Sequence, residues 1–202
     1  VDISKPDGHM VIDIGGGTSE VAVVSMGGVV ECESFPTAGD SFDEAIIRYI
    51  RKKHNVLIGS KTAEELKISI GGALPRPDAY EEEAKGRCLL TGLPKTVKVS
   101  SEELVEVLAE PTQLILDNIH SVLERTPPEL VGDLGSNGII LSGSGSMLYG
   151  LDSVIERSTG IPTIPVDDPS SCAAHGAGKM LTRLDDMKDG MMNFLRRRQM
   201  KN

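Results

Sequence analysis

The chain has few cysteines, no long apolar run and a shortage of basic residues, and each of these excludes a class of protein. Its three cysteines, Cys32, Cys88 and Cys172, are far apart and form no C-x-x-C pair, which is typical of a reducing cytosol and argues against a cysteine metal site. No apolar run approaches the roughly 18 residues that span a bilayer, and no signal peptide is visible. With 21 basic and 30 acidic residues, the formal charge is −9, which disfavours nonspecific binding to nucleic acid or anionic lipid.

What the sequence does contain begins with a glycine-rich loop between β-type runs. An apolar run at Met10–Ile14 meets Gly15–Gly17, and two further β-branched runs follow at Thr18–Ser25 and Val29–Phe35. This order predicts strand, tight loop, strand, turn and strand. Consecutive glycines let successive N–H groups converge on an anion. Asp13, beside the loop, could hold a phosphate-bound cation, because Mg²⁺ prefers oxygen ligands.

Two other interpretations of this loop need to be weighed. A dinucleotide-binding loop requires G-x-G-x-x-G at the start of a helix. Here Glu20 occupies the third glycine position and Thr18–Val24 is strand-like, so that interpretation is excluded. A glycine-rich hairpin without a ligand would show the same three glycines, and it stays open on this stretch alone.

The segment Asp13–Thr18, followed by a β-hairpin, resembles the second phosphate loop of the actin, heat-shock-chaperone and sugar-kinase ATPase superfamily. The wider segments Val11–Gly28 and Ala38–Ala45 closely resemble MreB and its Mbl-type relatives, the bacterial actins that set rod cell shape. The similarity runs from about residue 6 to about residue 184. The resemblance implies a C-terminal half, with an earlier half that carries its own phosphate loop, and the first residue, Val1, is consistent with that expectation.

Helix starts are predicted by capping boxes, in which Ser or Thr is followed three residues later by Glu: Ser41–Glu44, Thr62–Glu65 and Ser100–Glu103. Pro111 is expected to interrupt the third helix, so that a following helix or a kinked continuation comes after it. Thr126–Glu129 is expected to cap another helix. Glu64 and Lys67 share one face of the second helix. On spacing alone they form a surface salt bridge, whereas the resemblance implies that they contact the sugar and the base edge of a nucleotide.

A second small-residue loop follows a buried-type strand at Gly138–Leu141. The loop, Ser142–Ser146, precedes a predicted helix, and a helix N-terminus can bind an anion or a polar ring, although many such loops are only connections. The helix is expected to bury Leu148, Leu151 and Ile155. The segment Gly138–Asp152 resembles the superfamily's adenosine motif, with serine in place of its threonine at 142 and of a glycine at 144. A Cβ at position 144 is expected to crowd the base, or to be strained if its φ is positive.

The α/β pattern, together with the resemblance, implies a ribonuclease-H-like, actin-type domain in which a mixed sheet with flanking helices carries a small inserted α+β lobe. The expected division is a core at 8–37 and 104–190, an inserted subdomain at 38–103 and a C-terminal tail at 191–202. The first three strands are expected to form an antiparallel meander. Thr91–Pro94 predicts a hairpin turn in the insert, and Ile161–Val166 predicts an edge strand, because proline is confined to sheet edges.

Two expectations concern the end of the chain. His175, in a small-residue helix at Cys172–Lys179, is expected to be a partly buried packing residue. Apolar residues at helical spacing and three arginines occupy Leu184–Asn202. We interpret this segment as a frayed or packed helix rather than one that lies on a membrane.

The resemblance also implies a function. In the intact protein, ATP and Mg²⁺ would bind between two halves, and ATP binding and hydrolysis would switch a filament that helps to set rod cell shape. Asp13 would organise Mg²⁺ or its waters. The residues expected at the β- and γ-phosphates are Gly15, Gly16, Gly17 and Thr18, and Gly39 is expected near the nucleotide. Glu64 and Lys67 are expected at the sugar and base edge. The residues expected at the adenosine are Gly143, Ser144, Gly145, Ser146 and Met147. No catalytic residue is expected in this half, so ATPase activity belongs to the full-length protein and the chain alone should be inactive.

Two other functions stay open at this point. The chain could belong to another ATPase of the superfamily, of the chaperone or sugar-kinase type, or to a filament scaffold that has lost nucleotide binding. The expected partners are further copies in a filament and the N-terminal half. In the intact protein, membrane and cell-wall synthesis proteins are further expected partners. Nucleic acid is not an expected partner. The expected location is the cytoplasm, at the inner face of the cell membrane.

Overall fold

The computed structural model describes residues 5–181, which form two sheets with flanking helices. In chain order the elements are β1 His9–Ile14, β2 Ser19–Ser25, β3 Gly28–Phe35, α1 Gly39–His54, β4 Val56–Leu57, α2 Ser60–Ile70, β5 Glu81–Cys88, β6 Pro94–Ser100, α3 Ser101–Arg125, α4 Pro128–Asn137, β7 Ile139–Ser142, a 3-10 turn Ser144–Met147, α5 Leu151–Thr159, β8 Thr163–Pro165 and α6 Cys172–Leu181. No helix within residues 5–181 is both long and apolar enough to cross a membrane.

The larger sheet has five strands in the order β3-β2-β1-β7-β8. Strands β1, β2 and β3 pair antiparallel, whereas β1 pairs with β7, and β7 with β8, in parallel. The predicted meander, mixed sheet and edge strand are therefore confirmed. Because β1 and β7 are parallel, their carboxyl ends meet at the same edge, where Asp13 lies opposite Ser142. Ligands of open α/β sheets bind at such edges.

A single hydrophobic core joins the two sheets through α1, α2 and α3. Alternate residues of β1, Met10, Ile12 and Ile14, are fully buried, as the period of two in a strand requires. One face of α1 is buried, including Phe42 and Ile46. Burying each such side chain contributes roughly 1.5–3 kcal/mol before the entropy cost.

The smaller sheet has three strands in the order β4-β5-β6. Its β5–β6 hairpin confirms the turn predicted at Thr91–Pro94. The division into a core and an insert at 38–103 stays a prediction. The expected tail at 191–202, and the whole of the segment Leu184–Asn202 interpreted above as a helix, lie outside the described residues.

The predicted starts of α1 and α2 were wrong by three residues in each case, since the observed N-caps are Ala38 and Gly59 rather than Ser41 and Thr62. Helix α1 begins at Gly39 because the N–H groups of Gly39 and Asp40 donate to carbonyls of the Gly15–Gly17 loop, so Ser41 is not its N-cap. Helix α2 begins at Ser60, because the Ala63 N–H donates to the Gly59 carbonyl and closes a helical turn that starts before Thr62. The box at Ser100 is confirmed: its hydroxyl accepts from the Glu103 N–H, and Glu103 accepts from the Ser100 N–H.

Of the two alternatives expected after Pro111, a separate following helix was wrong, since α3 is one helix of 25 residues that contains this proline. Proline removes one helical hydrogen bond and crowds the preceding turn. Here Pro111 is buried, and the next hydroxyl, Thr112 Oγ1, donates to the Leu108 carbonyl at 2.7 Å, so local packing and bonding support the turn. Thr126 does not cap α4, because its hydroxyl donates to Val122 at the end of α3 and the N-cap is Pro127.

Two predictions near the C-terminal part of the structure need correction. Leu148 is buried as expected but precedes α5, which begins at Leu151 after a separate 3-10 turn. His175 is exposed, since α6 has no buried residue against the described part of the chain. The interpretation of His175 as a packing residue was therefore wrong.

Candidate functional site

A cavity of about 390 Å³ lies where the glycine loop, the N-terminus of α1, one face of α2 and the loop after β7 meet. Its volume is within the usual range for small-molecule sites. The lining residues come from these four segments and from the loop that follows α2: Gly16, Gly39, Asp40, Asp43, Glu64, Lys67, Ile68, Gly71, Arg76, Ser144, Gly145, Met147, Leu148 and Tyr149.

The glycine loop is fastened to the start of α1 by backbone hydrogen bonds. The Gly39 N–H donates to the Gly15 carbonyl at 3.1 Å, and the Asp40 N–H donates to the Gly16 carbonyl at 2.7 Å. A Cβ at Gly39 would lie 3.3 Å from the Gly15 carbonyl oxygen. These contacts satisfy two of the N–H groups that a helix N-terminus leaves free, and they fix the wall of the cavity at the exposed Gly16.

The second loop approaches β1 so closely that two of its positions must be glycine. Gly143 has φ +87, and a Cβ there would lie 2.3 Å from the Ile14 carbonyl oxygen. A Cβ at Gly145 would lie 2.7 Å from the Gly15 carbonyl oxygen. Within residues 5–181, Met26 and Asn55 are the only residues other than glycine that have a positive φ, so Ser144 is not in the left-handed region. Backbone strain at Ser144 is thus ruled out, and crowding of a ligand by its Cβ stays a prediction.

Lys67 of α2 is tied to α1 rather than to Glu64. Its Nζ lies 2.9 Å from Asp43 Oδ1 and donates to the Gly39 carbonyl at 3.1 Å. Both side chains of the ion pair are largely buried, with exposed fractions of 15% and 12%. Burial raises the pKa of the Asp43 carboxyl, and the hydrogen bond and positive charge of Lys67 oppose that rise. The pair therefore holds α1 and α2 together beneath the cavity.

One part of the cavity lining, the apolar end, carries apolar side chains and Arg76. Ile68, Met147 and Tyr149 line it and remain exposed. The Arg76 guanidinium carbon lies 4.6 Å from the centroid of the Tyr149 ring, and Arg76 Nη2 donates to the Gly71 carbonyl at 3.0 Å. A flat apolar surface with a fixed cation suits an aromatic ring that carries acceptor atoms.

Asp13 lies at the carboxyl end of β1, half-buried, and does not line the cavity. The Ser142 hydroxyl, on the neighbouring strand β7, donates to Asp13 Oδ1 at 2.8 Å. The loop that follows Asp13 is open to solvent, since Gly16, Gly17 and Thr18 are all exposed. A carboxylate held beside an exposed glycine loop is compatible with a hydrated Mg²⁺.

The structure brings about half of the predicted binding residues together at the cavity. Seven line it: Gly16, Gly39, Glu64, Lys67, Ser144, Gly145 and Met147. The other six belong to the same loops without lining it: Asp13, Gly15, Gly17, Thr18, Gly143 and Ser146. Sequence reasoning missed Asp43, which follows Gly39 by one helical turn and could have been found by that spacing. It also missed Arg76 and Tyr149, which are 73 positions apart and carry no signal in the sequence.

The amino-acid sequence matches known bacterial proteins over most of its length. A family model described as MreB/Mbl protein matches residues 1–189. The chain is 43% identical to the cell shape-determining protein Mbl of Bacillus cereus over 185 residues, which covers 92% of this chain and 56% of that protein. It is 44% identical to the cell shape-determining protein MreB of Escherichia coli (strain K12) over 183 residues, which covers 91% and 53%. The chain thus spans about half the length of these curated relatives.

Solved structures have the same fold. MreB5 of Spiroplasma citri bound to AMPPNP superposes with a TM-score of 0.88 at 37% identity, over 92% of this chain and 56% of that one. The MamK double helical filament superposes with a TM-score of 0.71 at 20% identity, over 86% and 54%, which shows the actin-like fold alone. The matches in sequence and in structure agree with the motifs, and the chain belongs to the MreB/Mbl family.

Proposed function

We propose that this chain is the nucleotide-binding C-terminal half of an actin-like cytoskeletal protein that binds ATP. The observation that carries the proposal is the convergence of the exposed glycine loop, the α1 N-terminus, Lys67 and the Ser144–Met147 turn on one cavity. The glycine loop offers backbone N–H groups to phosphates. The apolar end with Arg76 and Tyr149 offers a surface for a base. MreB5 of Spiroplasma citri, 37% identical, has been solved with AMPPNP and with ADP.

We further propose that the full-length protein forms ATP-dependent filaments and helps to set rod cell shape at the inner face of the cell membrane. The support is family membership, since the relatives Mbl and MreB are called cell shape-determining proteins. The chain spans about half of those relatives, so the partners that it needs include the other half of the protein. Membrane and cell-wall synthesis proteins are the further partners that this role requires.

The residues present fit a hydrated Mg²⁺ beside the phosphates. Asp13 supplies a carboxylate at the edge of the sheet, and Asp40 directs a second carboxylate toward Gly17, where a Cβ would lie 3.6 Å from its Oδ2. When bound, Mg²⁺ neutralises charge on the phosphates. Asp13 would hold the ion through water. The charge of Lys67 is neutralised by Asp43, and Lys67 would hold Gly39 in place through its hydrogen bond to the Gly39 carbonyl.

The test is a titration of the full-length protein with ATP, followed by pelleting with and without the nucleotide. We expect saturable ATP binding and a pelleted fraction that rises with ATP. Pelleting without any binding of ATP would favour a scaffold that has lost nucleotide binding. Binding without pelleting would favour another ATPase of the superfamily.

A further inference from the structure

The hydrogen bond between Ser142 and Asp13 joins the ends of two neighbouring parallel strands. Asp13 ends the pairing of β1 with β7, and Ser142 is its direct partner in the register. The Ser142 hydroxyl is buried, with 5% of the residue exposed, and it donates to Asp13 Oδ1 at 2.8 Å. A hydroxyl has a single proton to donate, so Ser142 donates its only hydroxyl proton to the Asp13 carboxylate.

We infer that Ser142 is a positioning residue that orients the Asp13 carboxylate for Mg²⁺–nucleotide binding. This inference rests on the proposed function, because it gives Asp13 a role toward the cation. A carboxylate has two oxygens, and the bond to Oδ1 fixes the rotation of the group while the second oxygen keeps its lone pairs for a water of the cation. Groups that orient a metal-binding carboxylate commonly change metal affinity by 10- to 100-fold when they are removed.

The position of Ser142 separates this role from direct contact with the nucleotide. Ser142 does not line the cavity, whereas Ser144 and Gly145 of the following loop do. The Ser142 hydroxyl donates to Asp13 and not to the backbone of its own loop. The hydroxyl that donates within this loop is that of Ser146, to the Gly143 carbonyl at 2.7 Å. Loss of the Ser142 hydroxyl should therefore affect the cation and not the loop.

The test compares ATP binding to the full-length protein in excess Mg²⁺ and in EDTA. For Ser142→Ala we expect the gain in ATP affinity that Mg²⁺ produces to fall about tenfold, with affinity in EDTA unchanged. Ser142→Thr keeps a hydroxyl and should restore the gain. Ser25→Ala is the matched control, because Ser25 is also a buried serine of this sheet and donates to the Pro6 carbonyl at 2.8 Å, away from the cavity.

A double-mutant cycle with Asp13→Asn gives the second measurement. If Ser142 acts through Asp13, adding Ser142→Ala to Asp13→Asn should have no further effect on the Mg²⁺ gain. An equal loss of affinity in Mg²⁺ and in EDTA would mean a purely structural role and would overturn the inference. An unchanged Mg²⁺ gain in Ser142→Ala would overturn it as well, while leaving nucleotide binding intact. If the wild-type protein binds no ATP in either buffer, the proposed function fails and the inference fails with it.

Discussion

Lys67 illustrates how a single side chain supports both the fold and the candidate site. Its ammonium neutralises Asp43 of α1 and donates to the Gly39 carbonyl at the cavity wall. We expect Lys67→Met to lower the free energy of unfolding by about 3 kcal/mol, because it leaves a buried carboxylate without its cation. Urea unfolding monitored by circular dichroism measures this. Lys61→Met is the control, because the exposed pair Lys61–Glu65 at 4.0 Å should contribute under about 0.5 kcal/mol.

The same variant should show a defined pH dependence. Burial already raises the pKa of Asp43 above its ordinary value of 3.8, and removing Lys67 raises that pKa further. A carboxyl with a raised folded-state pKa keeps its proton where the unfolded chain has lost it, so its contribution to stability falls as pH rises through that window. The deficit of Lys67→Met should therefore be largest at pH 7 and shrink as the pH approaches 3.8. A deficit that is constant over this range would contradict an ionised Asp43 as its cause.

Ser144 tests whether the second loop is crowded. It lines the cavity at a position where its relatives are expected to carry glycine. Ser144→Gly in the full-length protein should leave ATP affinity equal or improved, because it removes a Cβ at small entropic cost. Isothermal titration calorimetry with ATP measures the change. Ser144→Ala separates the two causes, since a loss of affinity in both variants would show that the hydroxyl contacts the ligand and that crowding is not the dominant effect.

At the scale of elements, the approach of the Ser142–Ser146 loop to β1 is fixed by backbone sterics. Gly143 has φ 87 and ψ 150, a combination that is essentially restricted to glycine. Gly143→Ala should lower the free energy of unfolding by about 3 kcal/mol, because strain adds to a contact with the Ile14 carbonyl. Gly160→Ala is the matched control: its φ is also positive, at +71, but a Cβ there meets nothing within 4 Å. It should cost only about 1 kcal/mol, and equal losses in thermal unfolding would exclude the steric contact.

Sequence patterns predicted the elements better than their ends. The strands at Met10–Ile14 and Thr18–Ser25 were predicted correctly, because each depends only on a local run of apolar and β-branched side chains. The start of α1 could not be predicted, since the groups that bond its first N–H groups are carbonyls of a loop more than 20 residues earlier. The continuous helix across Pro111 likewise depends on packing and on the Thr112 hydroxyl.

At the scale of the whole molecule, the sequence predicts one phosphate loop in this chain, and its relatives are about twice as long. Phosphoryl transfer needs the transferring group to be held on all sides and the nucleophile in line. Without the other half of the protein, we expect water to enter the site and charge stabilisation to weaken. We therefore expect the isolated chain to bind ATP–Mg²⁺ weakly at most and to release no phosphate above background. Turnover by the purified chain that disappears in Asp13→Ala would show that the site is complete within these residues.

The sequence by itself determined the family, the mixed α/β fold and the loops that surround the cavity. These features depend on the local order of residues, because a strand followed by glycines predicts the same kind of loop wherever the rest of the chain lies. The tertiary structure decided which side chains share the cavity and how they are paired. Lys67 contacts Asp43 and not Glu64, Arg76 stacks on Tyr149, and Ser142 holds Asp13. Such pairs depend on how helices and parallel strands pack, and short-range spacing carries no information about contacts between residues 20 to 130 positions apart.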